Sequence, residues 1–281
     1  MIGTRPLPEV VIRAEDPPPG LLAGLRELVA HRELLWALGM REVRVRYKQS
    51  LLGVAWAAIQ PLFMMFIFTV VFGRFARLPS EGVPYPVFSY TALLPWNFFS
   101  SAVSSAITSV AAGGALIKKV YFPRAVLPLA SMVTSAVDFL VSAGVFGLLL
   151  AFYGVSVSWH ALYLVPLLVL QLTFMVGLSL LLGAFNAYYR DVRYVLPIAL
   201  QVWLYATPVV WSMAMVPERY RVWYALLNPM AAVVEGWRAA VLRASAPDGL
   251  LVAAAAATAL VALVGGYRYF HYVERNFADV I

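Results

Sequence analysis

Long apolar stretches alternate with short clusters of charge, proline and glycine along nearly the whole chain. Six of these stretches are long enough to cross a bilayer: 51–75, 87–112, 125–152, 161–184, 194–213 and 250–269. They predict an all-α integral membrane protein with six transmembrane helices. Before the first, Leu25, Leu28, Val29, Leu35 and Trp36 recur at helical spacing beside charged positions. That pattern predicts an N-terminal amphipathic helix over 21–48, lying along the membrane interface. Residues 1–50 then form a cytoplasmic leader with this helix, and 51–281 form the transmembrane domain. Between the fifth and sixth stretches, an apolar run from Trp223 is broken at Asn228-Pro229. It is too long for a solvated loop and too interrupted for a span. It predicts two short re-entrant helices over 223–242, with Glu235 and Arg238 facing each other three residues apart.

Composition supports lipid as the solvent. Of 281 residues, 62% are hydrophobic and 12% charged, against about 25% charged in an ordinary soluble domain. The net charge of +7 would suggest nucleic acid in a soluble chain, but here it reads as topology charge. Placing both termini inside puts fifteen Lys and Arg on the cytoplasmic side and six outside. The N-terminus lacks the apolar core of a cleavable signal. Cysteine is absent, so no thiolate nucleophile and no cysteine metal site is available. His31, His160 and His271 are scattered and make no metal motif.

Six segments resemble signatures of one family. The stretch from Arg41 through Arg44, Arg46 and Lys48 to Gly53, with Trp56 and Gln60-Pro61 following, resembles the charged approach to the first span of ABC-2 type permeases. These are the permease subunits of polysaccharide-exporting ABC transporters, which handle O-antigen, capsule or teichoic-acid polymers. Leu94-Pro95-Trp96-Asn97-Phe98-Phe99 is similar to the family's second-span segment. Lys118-Lys119-Val120-Tyr121-Phe122-Pro123-Arg124 is similar to its coupling loop, and Asn186 to Val192 to the end of its fourth span. Pro208-Val209 and Asn228-Pro229-Met230 match its fifth span and external re-entrant segment.

The resemblance implies a homodimer working with two separate ATP-binding cassette ATPase subunits, moving a lipid-linked polysaccharide across a bacterial inner membrane. ATP and Mg would reside in the ATPase. This chain has no GxxxxGK[ST] phosphate loop of its own, so no cofactor and no catalytic residue is expected in it. Residues Lys118, Lys119, Tyr121, Phe122, Pro123 and Arg124 are the expected ATPase-coupling residues, with Tyr121 and Phe122 as packing anchors. Arg41, Arg44, Arg46 and Lys48 are expected near membrane lipid and the carrier's anionic head group.

Asp138 is the one acid inside a predicted span, and a carboxylate there is costly. It is expected to pair with a cation, to line the polymer path, or to be satisfied by Thr134, Ser135 and Ser142 on its own helix. Sugars present C–H faces that stack on aromatic rings. Phe63, Phe66, Trp96, Phe98, Phe99, Tyr205 and Trp211 are therefore candidate channel-lining residues. Gly144 and Gly147 are spaced for close helix packing. Three other readings stand beside this one: an ABC-2 permease exporting a small amphiphile, drug or lipid; a membrane enzyme acting on lipid-linked sugar; and an assembly protein. The enzyme would need converging acids or a metal site, which the sequence does not offer.

Overall fold

The computed structural model describes residues 20–48, 52–117, 122–274 and 277. Among these residues the structure is helical and contains no strand. The leader before Gly20, Gln49 to Leu51, and Lys118 to Tyr121 lie outside the described residues.

The N-terminal helical region is two helices, α1 (Leu21–Ala30) and α2 (Arg32–Tyr47), separated at His31. Helix α2 does not lie alone on an interface. It packs along the first half of α6 (Val126–Phe152). Gly39 allows this approach, because a Cβ there would fall 2.7 Å from Val133 Cγ2 and 3.2 Å from the Ala130 carbonyl. The first span is α3 (Trp56–Phe68), entered through a single tight turn at Gly53–Ala55 and continued by a wider π-type turn over Thr69–Phe75.

Among the described residues, four segments are long and apolar enough to cross a membrane: 53–75, 126–152, 159–188 and 249–273. They correspond to α3, α6, α7 (Leu164–Tyr188) with its leading turn, and α11 (Gly249–Val273). The other two expected spans differ in instructive ways. Helix α4 (Tyr85–Ala112) is 28 residues long, about 42 Å at 1.5 Å per residue, so its length suffices. It falls below the apolarity of the others because it carries Asn97 and a series of serines. It can do so because most of it is buried between α6, α7, α3 and α10 (Pro229–Val241).

The fifth expected span, 194–213, is shorter than the sequence pattern suggests. Helix α8 runs Val192–Ala206, about 22 Å. Proline disfavours helical backbone at the residue before it, and Thr207, preceding Pro208, is extended at φ −93°, ψ 143°. Beyond it the backbone is irregular up to α9 (Glu218–Leu227). Helices α9 and α10 meet at Asn228, and the first starts five residues before the expected Trp223.

Helix directions follow from cross-helix contacts. Gln171 Nε2 donates to the Pro95 carbonyl at 2.9 Å and Asn186 Nδ2 to the Ile107 carbonyl at 3.0 Å, so α7 runs parallel to α4. Tyr90 stacks on Phe146 while Ser101 bonds Ser135, so α6 runs antiparallel to α4. Helices α7 and α11 cross with backbones nearly touching. A Cβ on Gly266 would sit 2.0 Å from the Gly177 carbonyl oxygen, and one on Gly177 2.3 Å from the Leu263 nitrogen. These two glycines do the close packing expected of Gly144 and Gly147, around which a Cβ would meet nothing within 4 Å.

Candidate functional site

Pro61 sits inside α3 and has no N–H to offer the Ala57 carbonyl one turn earlier. Ser142 of α6 takes that place, its Oγ donating to the Ala57 oxygen at 2.7 Å. A proline that breaks one helix bond and a serine that repairs it from the side fix α3 against α6. Beside this contact lies a cleft of about 580 Å³ between the end of α2 and helices α3, α4, α6 and α8.

Its walls are polar and aromatic. Helix α4 contributes Asn97, Ser100, Ser101 and Ser104, which share one face at helical spacing. Helix α6 contributes Ser135, Asp138, Phe139 and Ser142, and α3 contributes Trp56 and Gln60. Phe98 stacks on Phe139 with ring centroids 4.8 Å apart. Ser101 and Ser135 share a hydrogen bond of 3.0 Å.

Asp138 is held by α2, not by its own helix. Arg46 Nη1 donates to Asp138 Oδ2 at 2.7 Å, and the Tyr47 hydroxyl donates to Asp138 Oδ1. Burial first, then the hydrogen bond to Asp138, push the Tyr47 phenol up to about 12, so it stays a donor at any physiological pH. The expected local partners are otherwise engaged: Ser135 with Ser101 and Ser142 with Ala57. A carboxylate inside a span finds its counter-charge 92 residues away, a distance that local sequence reading cannot bridge.

The remaining expected lining residues are dispersed. Phe98 and Asp138 line the cleft. Trp96 and Phe99 are buried in an aromatic cluster with Phe174 and Trp203. Phe63 and Phe66 point away from the chain, 62% and 60% exposed, and Tyr205 is exposed too. Trp211 is half-buried, its Nε1 donating to the Tyr205 carbonyl at 3.0 Å. Trp56, Gln60 and Asn97, which carry much of the cleft's chemistry, were legible only as motif residues. The polar stripe 97–100–101–104 on an otherwise apolar helix was the available signal.

A second polar assembly lies toward the end of the helices where α4 begins. Arg238 of α10 is fully buried, 0% exposed. Its Nη1 donates to the Pro208 carbonyl at 2.6 Å and the Trp211 carbonyl at 3.0 Å, and its Nη2 to Val209 at 2.8 Å. The guanidinium also lies 3.6 Å over the Phe88 ring. It thus fastens the irregular backbone after α8 to α10 and α4. The expected Glu235–Arg238 pair does not form. Glu235 bonds Arg243 at 2.7 Å, and Arg243 bonds Glu81 at 2.7 Å, whose other oxygen accepts from Ser212. Arg238 turns instead toward carbonyls that Pro208 and the chain break leave without helical donors. Asn228 completes this end: its side chain accepts from Trp203 Nε1 at 3.0 Å and donates to the Ala206 carbonyl and to Thr207 Oγ1. Pro229 opens α10 at its first position, where a missing N–H costs nothing.

Among the expected lipid-facing cations, Arg41, Arg44 and Lys48 are exposed. Of the expected coupling residues, Lys118, Lys119 and Tyr121 lie outside the described residues. Phe122 is turned into the chain's own core, 5% exposed, among Val110, Ile117 and Phe277. Pro123 is buried beside it, and the Arg124 guanidinium lies 5.9 Å from the Phe277 ring.

Helices of this length and apolarity, packed around a hydroxyl-lined cleft, suit a multi-span membrane protein with a polar cavity between its helices. Residues 33–242 match the ABC-2 type transporter family, and the chain belongs to it. It is 31% identical over 259 residues to the O-antigen export system permease protein RfbA of Myxococcus xanthus, covering 92% of this chain and 98% of that one. It is 28% identical to RfbA of Klebsiella pneumoniae, over 89% of this chain and 95% of the relative. Against the polysialic acid transport protein KpsM of Escherichia coli it is 26% identical, over 85% and 92%.

Proposed function

We propose that this chain is the permease subunit of an ATP-driven exporter that moves lipid-linked polysaccharide across the bacterial inner membrane. The observation that carries this reading is its similarity, over nearly the full length of both chains, to permeases named for O-antigen export. Two copies and two ATPase subunits make the working assembly, and ATP and Mg belong to the ATPase. The polar cleft supports a glycan cargo over a small amphiphile, because hydroxyls, amides and ring faces suit sugars better than alkyl chains.

Six passes with both termini cytoplasmic fit the alternating directions of α3, α4, α6, α7, α8 and α11 and the charge bias. Helices α9 and α10 are then a re-entrant pair entering from outside, with α10 shielded from lipid by α4, α7 and α11. Segment 113–124 couples to the ATPase, with Phe122 anchoring it from within. Arg41, Arg44 and Lys48 serve the lipid face, and helices α1 and α2 lie at the cytoplasmic boundary.

Co-expression with a cassette ATPase and reconstitution into inverted vesicles tests the reading. ATP-dependent uptake of a lipid-linked glycan is the expected result. A complex that hydrolyses ATP but moves only small amphiphiles would overturn it.

A further inference from the structure

The cleft's charge arrangement bears on which glycans it takes. Among the described lining residues the charged groups are Arg46 and Asp138, and they are joined at 2.7 Å. Both Asp138 oxygens are engaged, one by Arg46 and one by Tyr47. The lining thus presents no net charge. What it presents instead is uncharged. Gln60, Asn97 and Ser104 make no side-chain hydrogen bond with any described residue and face the cleft. An amide both donates and accepts, as a sugar hydroxyl does. Trp56 and the stacked Phe98–Phe139 pair supply flat apolar faces close by.

An acidic sugar entering this space would lose water around its carboxylate and find the one guanidinium already neutralised. Leaving a buried charge unpaired is far costlier than leaving a hydroxyl unpaired. A neutral hexose unit meets amide and hydroxyl partners and loses little. We propose that the cleft selects uncharged glycosyl units over acidic ones, with the Arg46–Asp138 pair as the specificity-determining element. The proposal rests on the reading of the chain as a glycan exporter. It also separates this chain in cargo from the polysialic acid transport protein to which it is similar.

The pair makes distinct predictions for its two halves. Asp138→Asn frees the Arg46 charge and should admit acidic glycans. The double variant R46Q/D138N restores neutrality and should keep the original preference. It also guards against a trivial folding effect of the single change.

The experiment is fluorescence polarisation on the full chain in phosphatidylethanolamine–phosphatidylglycerol nanodiscs. The probes are a labelled neutral dextran hexaose and a labelled sialic acid hexamer. The wild type should bind the neutral probe at least ten-fold more tightly. D138N should reduce that ratio at least five-fold, mostly by gaining affinity for the acidic probe, and R46Q/D138N should return it. Equal binding of both probes by the wild type would overturn the selectivity while leaving a glycan site intact. Binding of neither would overturn the cleft as a glycan site, and the selectivity with it. An unchanged ratio in D138N would remove the pair from any role in specificity.

Discussion

The mid-bundle cleft and the assembly around Arg238 are built from the same residue types, arginine, acid and aromatic ring, to opposite effect. In the cleft, the Arg46 and Asp138 side chains remain 41% and 24% exposed, and free amides stand beside them. In the other, Arg238 is wholly enclosed, three backbone carbonyls and a ring occupy it, and Glu81, Glu235 and Arg243 close a network around it. A guanidinium whose two Nη groups are held by three fixed carbonyls, and which is sealed from solvent, is out of a ligand's reach and acts as a brace. One held by a carboxylate at the edge of a cavity stays in reach of solvent and sets the charge a ligand meets there.

The sharpest way to break this contrast is to remove the brace. Arg238→Leu leaves three carbonyls without donors in a closed site, which should cost about 3–5 kcal/mol. Thermal unfolding in detergent, followed by tryptophan fluorescence, measures it. A loss below about 1 kcal/mol would mean the network is ornamental and the two sites are alike.

The helix crossing that holds both sites in register comes next. Gly266→Ala forces a methyl against the Gly177 carbonyl and should cost about 1–3 kcal/mol, whereas Gly144→Ala, facing open space, should stay within about 0.5 kcal/mol. The same unfolding assay separates them, and equal losses would contradict the crossing.

A third effect is pH-dependent. Burial raises the Glu81 carboxyl, but the Ser212 hydrogen bond and the Arg243 charge together outweigh it, leaving its pKa below the usual glutamate range. A carboxylate depressed on folding contributes stability above its unfolded pKa and loses it as pH falls through the folded value. Unfolding temperature should therefore drop on acidification below the ordinary glutamate range, and Glu81→Gln should flatten that drop. An identical acid limb in wild type and variant would remove Glu81 from the brace.

The smallest stability effect is expected in the cleft. Asp138→Asn weakens a pair open to solvent and should cost about 1 kcal/mol or less. A loss as large as that of Arg238→Leu would make the cleft pair a second brace.

How much of this was legible beforehand follows physical range. Apolar runs and prolines act over a few residues, so the spans at 53–75, 126–152 and 249–273 and the break at Asn228 were readable from the chain. Pro208 marks a helix break by its chemistry, yet the full consequence, a helix ending at Ala206, depends on Arg238 thirty residues later donating to the freed carbonyls. Glu235 and Arg238 satisfy helical spacing, but Arg243 and the carbonyls of 208–211 compete for them and win. The cleft was the least legible feature. Its chemistry is spread over five helices, and the aromatic residues most conspicuous in sequence, Phe63 and Phe66, face away from it. Of its lining only Phe98 and Asp138 were expected as channel residues, because serine and asparagine within an apolar helix look like packing until the opposing helix is in place.

The central claim is that exported glycan passes through the cleft. Site-specific photo-crosslinking during ATP-driven transport tests it directly. A benzoylphenylalanine at Asn97, inside the cleft, should capture the radiolabelled glycan only while ATP is hydrolysed. The same probe at Leu148, 72% exposed on the outer face of α6, should capture lipid and no glycan. Glycan adducts at Leu148, or none at Asn97 during active transport, would contradict the account.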